Sequence, residues 1–132
     1  MRFLIINPYY SISETPSPPL GLAYIAAVLE REGIEVKILD FVVFPYSREL
    51  LKSVLKKFGP RIVGTTAVTM TFDNAINVIK EIKSIDPSIV TVMGGPHVTF
   101  CAKETMSLFP ELDFIVLGEG EETIAELAGA LD

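Results

Sequence analysis

The chain has 132 residues, 49% of them hydrophobic, with 17 acidic and 11 basic side chains and a net charge of −6. A length near ~100–150 residues supports one hydrophobic core and not two, so a single domain over residues 1–132 is expected. The acidic balance argues against a nucleic-acid partner, which needs a basic face, and the one cysteine, Cys101, rules out an internal disulfide framework or a multi-thiolate metal site in these residues.

The apolar part of residues 1–8 is too short for a signal peptide, and no run approaches the ~20 apolar residues of a membrane span. The expectation is a cytoplasmic protein without a membrane partner. Residues 3–6 form a short apolar run ending at Asn7-Pro8 and read as the first strand. Residues 20–29 carry apolar side chains at helical spacing, follow Pro18-Pro19 and stop at Gly33, which suits a helix C-terminal cap. In residues 34–39, Ile34, Val36 and Ile38 alternate with Glu35 and Lys37, so the second strand is expected at the sheet edge with one exposed face.

Residues 48–58 are amphipathic and end at Gly59-Pro60. A third strand follows over residues 61–66, then a helix over 72–85 with Ile76, Ile79 and Ile82 on one side, and a fourth strand over 88–93. A short helix is expected over 99–109, a fifth strand over 114–117 and a last helix over 121–131. Strict βα alternation implies a doubly wound parallel sheet, helices on both faces, with flavodoxin-like strand order 2-1-3-4-5 in an α/β/α sandwich.

Connections from helix back to strand are tight, at Gly33, Gly59-Pro60, Asp86-Pro87 and Pro110-Glu111-Leu112. Those leaving the strand ends are longer or odder, and the one over residues 8–19 exceeds the ~2–6 residues usual for such a loop. In open α/β sheets ligands bind at the carboxyl ends of the strands. Sequence and topology therefore select the same edge. Its most distinctive stretch is the β-branched run at residues 88–93 followed by Gly94-Gly95-Pro96-His97, where something approaches the backbone closely.

Several ligands of this fold fit that edge poorly. A phosphoacceptor domain needs acidic residues where Asn7 and Thr65-Thr66 stand, and a lysine where Glu119 stands. A dinucleotide site needs GxGxxG directly after the first strand, where the chain reads Asn7-Pro8-Tyr9-Tyr10. A flavin phosphate loop there would need glycine, and none precedes Gly21.

Four motifs are more informative together: Pro18-Pro19-Leu20-Gly21-Leu22, Val63-Gly64-Thr65-Thr66-Ala67-Val68, Gly94-Gly95-Pro96-His97-Val98-Thr99 and Gly118-Glu119-Gly120-Glu121. In this order the chain resembles the N-terminal cobalamin-binding domain of cobalamin-dependent radical S-adenosylmethionine enzymes, a family including methyltransferases and the anaerobic magnesium-protoporphyrin monomethyl ester cyclase. The resemblance implies a corrin ring over the strand ends and a nucleotide tail in a slot beside the sheet. It assigns cofactor contacts to Asn7, Pro19, Leu20, Gly21, Thr65, Thr66, Val68, Gly94, Gly95, Pro96, His97, Gly118, Glu119 and Gly120. Gly94 and Gly95 would leave room for the tail, and Thr65 or Thr66 would hydrogen-bond its base. Gly118 and Gly120 either flank the slot or simply form a turn.

The loop after the first strand lacks the D-x-H-x-x-G that supplies a lower cobalt ligand in domains of methionine-synthase type. The implied cobalamin is therefore base-off with an open or water-filled lower face, and His97 is the one histidine left as a ligand. The C-x-x-x-C-x-x-C needed for a [4Fe–4S] cluster is also absent. Radical chemistry, with its S-adenosylmethionine and [4Fe–4S] cofactors, is thus expected in a C-terminal radical domain of a longer parent protein. Tyr9, Tyr10 and residues 41–45 put large apolar groups at the ligand edge, to meet the corrin or to fold back over the helices. Two other readings stand beside this one: an interaction domain without a cofactor, and a small enzyme holding a nucleotide or phosphate on the backbone donors of Thr65-Thr66 and Gly94-Gly95.

Overall fold

Residues 1–9 and 20–132 are described by a computed structural model of the chain; Tyr10, Pro18 and Pro19, named above, lie outside them. Along β1 (Arg2–Asn7), Phe3 and Ile5 enter one apolar cluster and Leu4 and Ile6 another, all buried. A strand apolar on both sides needs cover on both faces. β1 accordingly lies inside a five-stranded parallel sheet of order β2-β1-β3-β4-β5. The other strands are β2 (Glu35–Asp40), β3 (Ile62–Thr66), β4 (Val90–Gly94) and β5 (Phe114–Ile115). The expected strand order is the observed one.

Helices α1 (Leu20–Arg31) and α6 (Glu121–Leu131) cover one face, where Leu29, Ile124 and Ala128 join Phe3, Ile5 and Ile62. α2 (Arg48–Phe58) and α3 (Phe72–Ile85) cover the other, with Leu51, Leu55, Val78 and Ile82 against Leu4, Ile6 and Val63. Each such fully buried aliphatic side chain contributes about 1.5–3 kcal/mol relative to exposure. α1 ends through Gly33, at φ 80°, whose N–H bonds Glu30 O at 2.9 Å while Ile34 N bonds Leu29 O at 3.1 Å. α2 is capped by Ser47, which accepts from Leu50 N at 3.0 Å, and by left-handed Gly59.

Three local expectations are corrected. The helix expected over residues 99–109 is two pieces, α4 (Pro96–Phe100) and α5 (Ala102–Leu108), because Pro96 starts a turn early and Cys101, at φ −133° and ψ 35°, breaks the run. β5 pairs over two residues instead of four, because the Gly118 N–H turns to Thr99 Oγ1 at 3.1 Å and Leu117 is exposed. Ile38 is exposed while Leu39 is buried, so the alternation in β2 does not hold to the strand's end. β2 is nonetheless an edge strand.

Short β5 is anchored by polar contacts. Asp113 Oδ2 accepts from Lys83 Nζ at 2.7 Å and Thr91 N at 3.0 Å, and Thr91 Oγ1 donates to Glu111 O at 2.6 Å. Burial pushes the Asp113 carboxyl up, but the Lys83 and Thr91 hydrogen bonds outweigh it and hold the group below its ordinary value.

Candidate functional site

Period-two geometry places Ile62, Gly64 and Thr66 on the α1/α6 face of β3, and Val90, Val92 and Gly94 on the same face of β4. Thr66 pairs with Gly94, and Gly64 with Val92. Glycine at two of these neighbouring positions leaves the face bare toward the strand ends. The result is a slot with a cavity volume of about 90 Å³. Leu22 and Ile25 of α1 and Ile124 of α6 wall it, Phe3 and Ile5 lie beside Gly64 at depth, and Thr66, Gly94, Gly118 and Gly120 stand toward the strand ends. Its depth is set at Gly64, where an added Cβ would come 3.0 Å from the Phe3 ring.

The two glycines after β4 have different physical reasons. Gly94 has ordinary backbone angles, and a Cβ there would meet, among the described residues, only Val116 O, at 3.7 Å. Gly95 sits at φ 105° and ψ 171°, and a Cβ there would lie 2.6 Å from both Ala67 O and Thr66 Oγ1. Gly94 thus borders the slot, whereas Gly95 lets the start of α4 press against the end of β3. Gly120 combines the roles: it lines the slot, and its carbonyl accepts from Ile124 N at 2.8 Å in the first turn of α6.

Polar groups at the slot are few. Thr65 Oγ1 lies 3.4 Å from Thr66 O, and Thr66 Oγ1 has no hydrogen-bond partner among the described residues. Among the described residues no charged side chain lines the slot, and no group of three or more His, Cys, Asp and Glu is placed to hold a metal ion. The arrangement can take up an apolar group and offer it one side-chain hydroxyl.

Of the residues singled out in the sequence, Thr65, Thr66, Gly94, Gly118 and Gly120 come together at the slot. Leu20 and Val68 stand exposed at the same edge of the sheet, with Gly21 opening α1 and Glu119 exposed between the two glycines. Asn7 does not reach the slot; its Nδ2 donates to Asp40 Oδ1 at 3.0 Å across the ends of β1 and β2. Pro96 and His97 lead into α4 outside the slot, where His97 Nδ1 is 3.3 Å from Thr69 Oγ1 and the ring lies 4.2 Å from that of Phe72. Pro19 lies outside the described residues. Sequence reading quoted Gly64 and Leu22 only within motifs and gave them no contact, although a glycine inside a strand signals close approach by another group, and it did not single out Ile25.

The aromatic edge divides. Tyr9 stacks on Tyr46 at 4.6 Å and Phe41 meets Tyr46 edge-on at 5.0 Å, folded over the α2 side. Burial, reinforced by Glu81, raises the Tyr46 phenol pKa. Val42, Val43 and Phe44 remain exposed.

A parallel sheet of this order with an apolar slot near its strand ends defines a small-molecule-binding domain of flavodoxin-like fold. The chain belongs to the B12-binding domain family, whose model matches residues 11–128. It is 45% identical over 136 residues to an uncharacterised methyltransferase of Pyrococcus horikoshii, covering 99% of this chain and 29% of that protein. It is 34% identical over 137 residues to the anaerobic magnesium-protoporphyrin IX monomethyl ester cyclase of Rubrivivax gelatinosus, covering 100% of this chain and 25% of that one. Among solved structures, the radical S-adenosylmethionine methyltransferase TsrM from Kitasatospora setae, with cobalamin and a [4Fe-4S] cluster bound, superposes with a TM-score of 0.84 at 25% identity over 98% of this chain and 26% of that chain. A CheY-like protein from Pseudomonas aeruginosa, at TM-score 0.70 and 14% identity over 99% of this chain and 98% of that one, shares the fold alone. The chain spans about a quarter to three tenths of the length of these two curated relatives. No helix among the described residues is long and apolar enough to cross a membrane.

Proposed function

We propose that this chain binds cobalamin base-off and presents it to a radical S-adenosylmethionine catalytic unit of a longer protein. The observation that carries the reading is the slot beside Gly64 and Gly94, with a Thr66 hydroxyl that has no partner among the described residues. A tail base lodged there would be held away from the cobalt. Thr65, Thr66, Gly94, Gly118 and Gly120 would line the path of the tail. Leu20, Gly21, Val68 and Glu119, with Pro19, would border the corrin, and the exposed apolar groups among them favour a flat apolar partner. Asn7 and Gly95 to His97 would support this edge from the second rank, Asn7 by holding β1 to β2 and Gly95 by fixing the start of α4.

Bound cobalamin would supply cobalt-centred chemistry, while the residues of this chain bind and orient it. The presenting role is supported by the relatives, each several times longer than the matched stretch. S-adenosylmethionine and a [4Fe–4S] cluster belong in this reading to that other unit, and the cytoplasm is its place of action. An open lower face is supported by the sequence after β1, which has no histidine between Asn7 and Leu20. The test is electron paramagnetic resonance of protein-bound cob(II)alamin. The expected spectrum has no nitrogen splitting; splitting retained in both the parent protein and His97→Ala would mean the base stays on cobalt and would overturn the base-off assignment.

A further inference from the structure

Beyond the slot's entrance the described side chains offer an occupant almost nothing polar. Phe3, Ile5, Ile25, Val92, Val116 and Ile124 are all apolar, and the backbone groups of β1, β3 and β4 at that depth are engaged in the sheet ladders. Thr65 Oγ1 already faces the carbonyl of Thr66. Among the described lining side chains one hydroxyl, that of Thr66, is left for a single acceptor.

We infer that the slot selects among cobamides by the polarity of the lower base, favouring a benzimidazole over a purine. This rests on the proposed function, since it concerns the tail of the same cofactor. A base-off benzimidazole exposes one free ring nitrogen, which one hydroxyl satisfies; its remaining edge is hydrocarbon. A purine has the same fused-ring shape but carries further ring nitrogens and, in adenine, an exocyclic amine. In this slot those groups lose water and meet aliphatic carbon, and a buried polar group left unpaired is expensive. Size does not separate the two bases, so the discrimination comes from polarity.

The test measures dissociation constants by equilibrium ultrafiltration with corrin absorbance, anaerobically in the cob(I) state, where the base is off cobalt in every case. The probes are cobalamin, its adenine-containing analogue, and cobinamide, which lacks the tail base. Cobalamin should bind at least about tenfold more tightly than the adenine form, with cobinamide also weaker than cobalamin. Val116→Thr, which keeps side-chain volume and adds a hydroxyl at the slot wall, should narrow the gap. Equal or tighter binding of the adenine form, or a gap untouched by Val116→Thr, would overturn the selectivity while leaving cobalamin binding intact. Binding of none of the three would overturn the proposed function, and the selectivity with it.

Discussion

Substituting the neighbouring glycines after β4 should give opposite outcomes. In Gly95→Ala the new side chain must adopt φ 105° and ψ 171°, a region open essentially to glycine alone, at a cost of about 1–3 kcal/mol. Its Cβ also lands 2.6 Å from Ala67 O and 2.8 Å from Ala67 N, backbone atoms that cannot swing aside. Overpacking of this kind adds about 1–3 kcal/mol. Relief by movement would strain the bonds His97 N to Ala67 O at 3.2 Å and Ala67 N to Gly94 O at 3.0 Å. A loss of about 2–6 kcal/mol is a large part of the ~5–15 kcal/mol that stabilises a domain, and corresponds to a melting temperature lower by roughly 10–20 °C. Gly94→Val, by contrast, puts a β-favouring residue at ordinary backbone angles with its Cβ 3.7 Å from the nearest neighbour. It should melt within about 2 °C of the parent protein yet lose cobalamin, because its methyl groups fill the slot. Circular dichroism melts and corrin absorbance after desalting read the two effects. A Gly95→Ala protein with an unchanged melting temperature, or a Gly94→Val protein that retains corrin, would refute the division of roles.

Thr66→Val should weaken cobalamin binding about five- to tenfold with little change in melting temperature; unchanged affinity would mean that the hydroxyl does not meet the tail. Asp113→Asn should destabilise by about 1–2 kcal/mol at neutral pH by removing the Lys83 contact. Because the folded-state pKa of Asp113 is lowered, its contribution is present above the ordinary carboxylate range and lost as pH falls below about 4. Melts of the two proteins should therefore converge in acid, and a constant difference down to strongly acidic pH would count against the anchor. His97→Ala should cost about 0.5–1.5 kcal/mol through the lost Phe72 contact while leaving cobalamin affinity unchanged, and a large loss of affinity would give His97 a direct role.

Much of the fold was legible because strong local signals agreed with its topology. Phe3, Leu4, Ile5 and Ile6 marked a strand, which the structure buries on both faces, and Gly33 and Gly59 marked helix ends with the positive φ such ends require. Less legible were features decided by tertiary contact. Cys101 breaks a run that reads as one helix, its thiol 3.0 Å from His97 O. Ile38 turns outward on an edge strand while the next residue, Leu39, is buried on the opposite face. At the site, Gly94 and Gly95 read as one feature, yet only the register with β3 separates the residue that borders the slot from the one that fits against Ala67. Gly64 passed as a strand residue because its importance depends on Phe3, far away in the chain.

Whether the slot of this chain holds cobalamin is decided by mixing purified protein with hydroxocobalamin, reducing, desalting and recording the absorbance spectrum. Corrin should be retained at close to one equivalent per chain; none retained at micromolar protein would mean that the slot is not a cobalamin site.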